Sequence, residues 1–241
     1  MDQHFKSRIV FENEHFIIID KKGGELSVPA REGDKDTRAC LKRMLAEYLR
    51  GSDGVEVLPV HRLDFEVSGA ILFAKTKSAQ RAGNEWFLQQ SVQKIYQATT
   101  EVNKLAPYYI ETSAGKSYCW KNKMLRGKKR AYYADYGKLA ITYATCLGME
   151  EQGNHSYYRF QLQPKTGRAH QLRLELAMHG YPILGDVLYG STRNFLVTNP
   201  EAIALRAVEI NFSACKEATT LFALPPRVLL TVSAMTTELF A

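Results

Sequence analysis

The sequence predicts an α+β fold with a mixed or antiparallel sheet. Two observations lead there: segments of strand composition outnumber those of helical spacing, and helical stripes are interspersed among strand runs rather than alternating regularly with them. In order, residues 8–29 read as strand, turn, strand, because Phe16-Ile17-Ile18-Ile19 is rich in β-branched residues and Gly23-Gly24 supplies the turn. Asp36 or Thr37 can cap a helix, and Leu41, Met44, Leu45, Tyr48 and Leu49 form one apolar stripe that Gly51 would end. Val57 to Val60 reads as a short strand leading to His61, and Gly69 to Ala74 as a strand buried on both faces. Ser78 can cap a second helix carrying Ala79, Ala82, Trp86 and Phe87. Lys94 to Thr100 alternates like a strand. A long irregular insertion is expected over 116–130. Ala140 to Leu147 and Ser156 to Gln163 read as a hairpin joined through Gly148 and Gly153. His170 to His179 reads as a helix ended by Gly180, with Pro182 preventing continuation. Ala202 to Phe212 and Leu221 to Leu224 complete the strand candidates.

Composition narrows the class. The 241 residues are 45% hydrophobic and 24% charged, which excludes a disordered chain, a collagen and a simple coiled coil. The length suits one large domain or two closely packed lobes. The polar start, Met1 to Ser7, lacks the apolar stretch of a secretory signal, and Phe16 to Ile19 is far too short to span a bilayer. A soluble cytoplasmic protein with no membrane contact is expected. Cys40, Cys119, Cys146 and Cys215 are scattered, which argues for reduced, mostly buried thiols and against a zinc site.

The charge is uneven. The formal net charge is +7, from 32 Lys and Arg against 25 Asp and Glu. Lys116, Lys121, Lys123, Arg126, Lys128, Lys129 and Arg130 supply seven cations with no acid among them, so 32 − 7 = 25 remain to balance the 25 acids. Tyr118, Trp120, Tyr132 and Tyr133 lie in or beside this segment. Cations suit phosphates and aromatic faces suit unstacked bases, so the segment reads as a nucleic-acid contact; a solvated surface loop is the plainer alternative.

Two segments carry chemistry. In His61-Arg62-Leu63-Asp64-Phe65-Glu66-Val67-Ser68-Gly69 a strand enters and a buried strand leaves, which suits rigid presentation of a carboxylate. In Pro164-Lys165-Thr166-Gly167-Arg168-Ala169-His170-Gln171-Leu172-Arg173 the donors Arg168, His170, Gln171 and Arg173 gather at a helix start, where anions are favoured. A third stretch, Gly180 to Gly190, reads as a tightly packed structural turn.

Taken together in this order, with Lys94-Ile95-Tyr96 between them and His-Gly-Tyr-Pro-Ile-Leu-Gly-Asp-x-Leu-Tyr-Gly after them, these segments resemble the RluA family of RNA pseudouridine synthases. The resemblance runs from the first hairpin to about Gly190. It implies a mixed, largely antiparallel sheet with flanking helices and a central active-site cleft, in one catalytic domain spanning 1–241. It implies Asp64 as the catalytic aspartate, Tyr96 as the active-site tyrosine, and Arg173 as the arginine that pairs with that aspartate. Arg62 matches the position that enters the RNA where the uridine leaves the stack. His61, Arg168, His170 and Gln171 would line the RNA path with the basic 116–130 segment. No metal and no cofactor is implied, and the partner is ribosomal or transfer RNA. No protein partner is expected and the chain is read as a monomer. There is no room before Arg8 for the S4-type module of some members. Ala169, Val67 and Arg206 depart from the usual Ser or Thr, Thr and His of the family, which touches substrate choice rather than the chemistry.

Other readings remain open from the residues alone. A glycoside or nucleoside hydrolase would need two facing carboxyl groups, and Glu66 is the nearest acid to Asp64. A non-catalytic RNA-binding or ribosome-assembly protein that kept the fold would explain the basic segment and the departures.

Overall fold

A computed structural model describes residues 3–30, 36–50, 55–152, 155–195 and 199–230. In chain order the elements begin with α1 (Gln3–Lys6), β1 (Ile9–Glu12), β2 (Phe16–Lys21), α2 (Leu41–Tyr48), β3 (Leu58–Pro59), β4 (Ser68–Ala74) and α3 (Lys77–Leu88). They continue with β5 (Gln93–Thr100), β6 (Ser117–Arg126), β7 (Ala131–Tyr133), β8 (Lys138–Gln152), β9 (His155–Pro164) and α4 (Gln171–Met178). A 3₁₀ turn at Val187–Tyr189, β10 (Leu205–Asn211), α5 (Lys216–Thr220) and β11 (Arg227–Leu229) complete them. The α+β class and the largely antiparallel sheet stand as expected. Among the described residues no helix is long and apolar enough to cross a membrane.

The described residues divide into two compact units, 3–94 with 207–230, and 95–206. In the first, the strand order is β1-β2-β4-β10, with β3 on β4 and β11 on β10. β2 and β4 pair antiparallel from Phe16↔Ala74 to Lys21↔Gly69. Both are apolar on two faces because both are covered: Ile17, Ile19, Ile71 and Phe73 are as fully buried as Phe16, Ile18, Ala70 and Leu72. Phe16, Trp86 and Phe222 close one face, with ring centroids 5.3–5.5 Å apart. The Trp86 indole N–H would be an unsatisfied donor there, and it donates to Glu217 Oε2 at 2.8 Å. Burying each such ring contributes about 2–3 kcal/mol. Gly69 has φ +116°, and a Cβ there would lie 2.3 Å from the Ala207 carbonyl oxygen, so the β4–β10 approach requires glycine.

In the second unit the order is β5-β9-β8-β6-β7, and every one of these pairs is antiparallel. The helix α4 is buried almost all round, from Gln171 through Leu176. Its polar residues Gln171, Arg173 and Glu175 therefore sit inside the protein.

Several sequence expectations need correction. The 116–130 segment is not an irregular insertion but an antiparallel hairpin, β6 and β7 joined by a turn over 127–130 in which Gly127 N donates to the Arg130 carbonyl at 2.9 Å. Its alternating apolar positions, Tyr118, Trp120 and Met124, are masked in the sequence by the charges between them. α2 begins at Leu41 after Cys40, not near Asp36 or Thr37, because the Asp36 carboxylate is engaged by the Arg38 backbone N–H and guanidinium. The α3 cap is Thr76, whose Oγ1 accepts from Ala79 N at 3.2 Å; Ser78 lies inside the helix. Gly148 does not connect the β8–β9 hairpin but sits within β8 where the register shifts, so both strands run longer than expected. Gly51 and Gly153, read as a helix stop and a turn, lie outside the described residues. Leu221 to Leu224 is a turn, not a strand; Phe222 and Leu224 are buried, and pairing resumes only at β11.

Candidate active site

The turn carrying Asp64 is held from below by its neighbours' backbone. On one side, Leu63 N donates to Ser27 Oγ at 3.1 Å, and the Leu63 carbonyl accepts from the same hydroxyl at 2.8 Å. On the other, the Phe65 carbonyl accepts from Gly24 N at 2.9 Å and from Lys21 Nζ at 3.1 Å. The turn itself closes through Val67 N to the Asp64 carbonyl at 3.2 Å. With Leu63 and Phe65 both fixed, Asp64 has little backbone freedom, and its side chain is half-buried while Arg62 beside it is exposed.

Lys21 is the least expected part of this arrangement. It is fully buried at the end of β2, and its ammonium also donates to the carbonyls of Lys22 at 2.9 Å and Glu25 at 2.7 Å. Burial lowers its pKa to about 8, although the charges of Glu25, Asp64 and Glu66 oppose that fall. Glu25 is in turn fixed by Arg8, with Nη1 to Oε1 at 3.0 Å and Nη2 to Oε2 at 2.5 Å.

His61 is part of the packing. Its Nε2 accepts from Leu72 N at 3.1 Å, and its ring lies 4.8 Å from that of Phe87. The Lys94 ammonium sits over the Phe87 ring at 5.3 Å. Burial first, and Lys94 second, lower the His61 pKa to about 3, so the imidazole is neutral. Lys94 is itself lowered to about 8 by burial.

In the second unit, Tyr96 lies on β5 opposite Leu162 and is buried. Arg173 is 2% exposed and grips Asp186 with two hydrogen bonds, Nε to Oδ2 at 2.7 Å and Nη2 to Oδ1 at 2.8 Å. Its guanidinium also covers the Tyr189 ring at 5.3 Å. The stretch holding Asp186 and Tyr189 reads in the sequence as a structural turn; it supplies the fork that orients Arg173. Gln171 is only 4% exposed and is fully used inside the fold. It donates to the Ile141 carbonyl and Thr142 Oγ1 and accepts from Thr166 Oγ1 and Arg168 N, all within 2.8–3.1 Å. Arg168 Nε donates to the Leu139 carbonyl at 2.9 Å, and His170 Nδ1 lies 3.1 Å from the Tyr189 hydroxyl. His170 takes the left-handed conformation just before α4, with φ 53°, and makes no side-chain cap. The anion-ready helix start expected from the sequence is thus largely spent on holding this loop together.

The cations of the β6–β7 hairpin point outward: Lys116, Lys121, Lys123, Arg126, Lys128, Lys129 and Arg130 all reach solvent. Of the nearby aromatics, Trp120 is buried and stacked on His179 with ring centroids 4.2 Å apart, so its face is already covered. Tyr132 is 40% exposed.

Residues 15–178 match the family model described as RNA pseudouridylate synthase. The chain belongs to this family. It is 33% identical over 198 residues to the dual-specificity RNA pseudouridine synthase RluA of Salmonella typhi, covering 82% of this chain and 80% of that one. It is 30% identical over 212 residues to the protein of the same name from Vibrio vulnificus, covering 86% and 77%. Among solved structures, human RNA pseudouridylate synthase domain containing 4 superposes with a TM-score of 0.64 at 20% identity, covering 86% of this chain and 85% of that one. Human RNA pseudouridylate synthase domain containing 1 gives 0.63 at 22% identity, covering 85% and 77%. These likenesses carry the fold. The protein is therefore an RluA-type RNA pseudouridine synthase, an isomerase that acts on RNA.

Proposed function

We propose that this synthase converts a uridine of structured ribosomal or transfer RNA to pseudouridine with Asp64 as its essential carboxylate. The observation that supports this most directly is the clamping of Leu63 and Phe65 on either side of Asp64, which fixes one acid where the family motif has its catalytic aspartate. The reaction breaks the N1–C1′ bond and forms C5–C1′; the proton leaves C5 and N1 gains one, so no cosubstrate enters. The Asp64 side chain attacks the substrate covalently or stabilises a sugar-derived intermediate while uracil turns over. In this reading the Tyr96 ring holds the detached base and its hydroxyl helps relay the proton. Arg173, held on its Nε–Nη2 edge by Asp186, is read from the family motif as the arginine that serves the catalytic carboxylate.

The uridine must leave its stack at a cost of a few kcal/mol. Arg62, exposed two residues before Asp64, is proposed to fill the gap left in the RNA, with the hairpin cations on the phosphates. His61 and Gln171 would then support the loops rather than touch RNA. We read the whole chain as one catalytic domain, acting as a cytoplasmic monomer on ribosomal or transfer RNA.

The test is a map of pseudouridines in total RNA from cells with and without the protein, followed by assay of Asp64→Asn and Asp64→Ala on the RNA identified. Loss of one site in cells and of all product with either variant is the expected result. Full activity of the variants, or release of free uracil, would overturn it; RNA retention with no pseudouridine anywhere would point to a binding protein.

A further inference from the structure

The second unit holds a cavity of about 650 Å³ that shares Tyr189 with the support of Arg173 but is lined by none of the residues proposed to carry the chemistry. It lies between α4, the hairpin end of β7, the 3₁₀ turn and the loop over 103–108. Its floor is apolar, from Leu174, Ala177 and Met178, and its walls are the rings of Tyr108, Tyr133 and Tyr189. Arg130 and Tyr132 stand at the hairpin side.

Each wall is fixed by the fold. The 103–108 loop is pinned along the end of α4, with Asn103 N donating to the Gly180 carbonyl at 2.8 Å and Tyr108 N to that of Met178 at 3.0 Å. Gly180 has φ +93°, and a Cβ there would lie 2.4 Å from the Tyr109 ring, so the loop can approach only glycine. Two of the wall hydroxyls are already engaged: Tyr189 accepts from Ala131 N at 2.7 Å and Tyr133 from Asn122 Nδ2 at 3.1 Å. Tyr133 therefore offers its ring more than a hydrogen bond, while the Tyr189 ring, covered on one face by Arg173, serves as packing behind it. Tyr108 packs near Tyr133, with centroids 5.9 Å apart, yet remains 54% exposed.

We propose that this cavity takes one unstacked base of the RNA substrate, other than the uridine that is isomerised, with an adjoining phosphate on Arg130. An apolar floor rejects a phosphate or a sugar and accepts a flat base. Aromatic walls stack on any base, so the site selects for an unpaired nucleotide at a set distance and not for its identity. The neighbouring Lys128 and Lys129 on the same turn give the rim the charge that an RNA backbone needs. This deepens the proposed function and rests on RNA being the substrate.

The experiment uses the full chain and the RNA identified by the mapping above. Tyr108→Ala and Tyr132→Ala should each raise KM about 5- to 100-fold, with kcat changed less than about threefold and melting unaltered. Tyr108→Phe, which keeps the ring, should recover most of the affinity. Photocrosslinking with 4-thiouridine placed at successive positions should join one position outside the modified site to the peptide carrying Tyr108 or Tyr132. KM values within about twofold of wild type in both alanine variants, or crosslinks only to other peptides, would overturn the pocket while leaving the synthase reading intact. Crosslinking that depends on Tyr108 in a protein that makes no pseudouridine would support the pocket and remove the synthase reading instead.

Discussion

The buried Lys21 ammonium donates to the carbonyl of Phe65, the residue after Asp64, at 3.1 Å. One cation thus ties the end of β2 to the turn that carries the proposed catalytic acid. It is electrostatically drawn to Asp64 as well, since that charge opposes the fall of its pKa.

Replacing Lys21 by Met should therefore act on both stability and catalysis. Three carbonyls, of Lys22, Glu25 and Phe65, would be left without this buried donor. The expected loss is about 3 kcal/mol, or a melting temperature lower by about 6–12 °C. At a temperature where the variant is folded, kcat should fall more than KM rises, because the turn is loosened and not the RNA path. A variant with unchanged melting and unchanged kcat would show that the clamp is dispensable.

Glu175 should give the protein a distinctive pH dependence. Its carboxyl is fully buried on α4, and neither oxygen has a hydrogen-bond partner among the described residues. Burial raises its pKa to about 7; the nearby Thr142 hydroxyl opposes this without reaching bonding geometry. The folded state therefore holds this proton more tightly than the unfolded chain. The stability it contributes is complete below about pH 4.5 and is lost as pH rises through about 7. His179, whose pKa burial lowers, works in the opposite direction, so the comparison must isolate Glu175. Glu175→Gln should melt higher than wild type at pH 8, by the equivalent of about 2–3 kcal/mol, and the gap should close towards pH 5. A constant difference across that range would contradict the buried, protonated state.

The Arg173–Asp186 pair should be costly to break from either side. Both side chains are at most 2% exposed. Asp186→Ala leaves a buried guanidinium without its anchor and should lose about 3–5 kcal/mol by denaturant titration. Activity should also collapse in any variant that remains folded, because the fork that orients Arg173 is gone. Asp186→Asn, which keeps the shape, should recover part of the stability and less of the activity.

The hairpin cations should report as a salt effect. Changing Lys128, Lys129 and Arg130 together to Gln should weaken RNA binding without selecting among sequences. Filter binding across a salt series should show a slope shallower by about 0.7 for each phosphate that the variant no longer neutralises on single-stranded RNA. An unchanged slope would remove the tip of the hairpin from the interface.

Much of the order of strands and helices, the position of the acid between two strands and the concentration of charge in 116–130 are legible in the residues; α1, β6, β7, α5 and β11 are not. Each follows from local rules: β-branched runs, helical spacing, turn glycines and sign of charge. The signals that mislead are local as well. Ser78 and Asp36 are good caps in isolation, yet Thr76 and Cys40 occupy the cap positions: Thr76 Oγ1 takes the Ala79 N–H, and the Asp36 carboxylate is engaged by Arg38. The hairpin hides its strand character because lysines alternate with its buried Trp120 and Met124.

By itself the sequence determined the fold class, the family and the residues Asp64, Tyr96 and Arg173 that carry its motifs. Only the tertiary structure decided what those residues lean on. Asp186, which grips Arg173, lies 13 positions away in a turn that reads as mere packing, and the Phe65 carbonyl beside Asp64 is held by Lys21, 44 positions before it. No spacing rule connects such pairs. They meet because a buried charge must find acceptors wherever the folded backbone brings them, and that is settled by the packing of whole elements, not by neighbours in the chain.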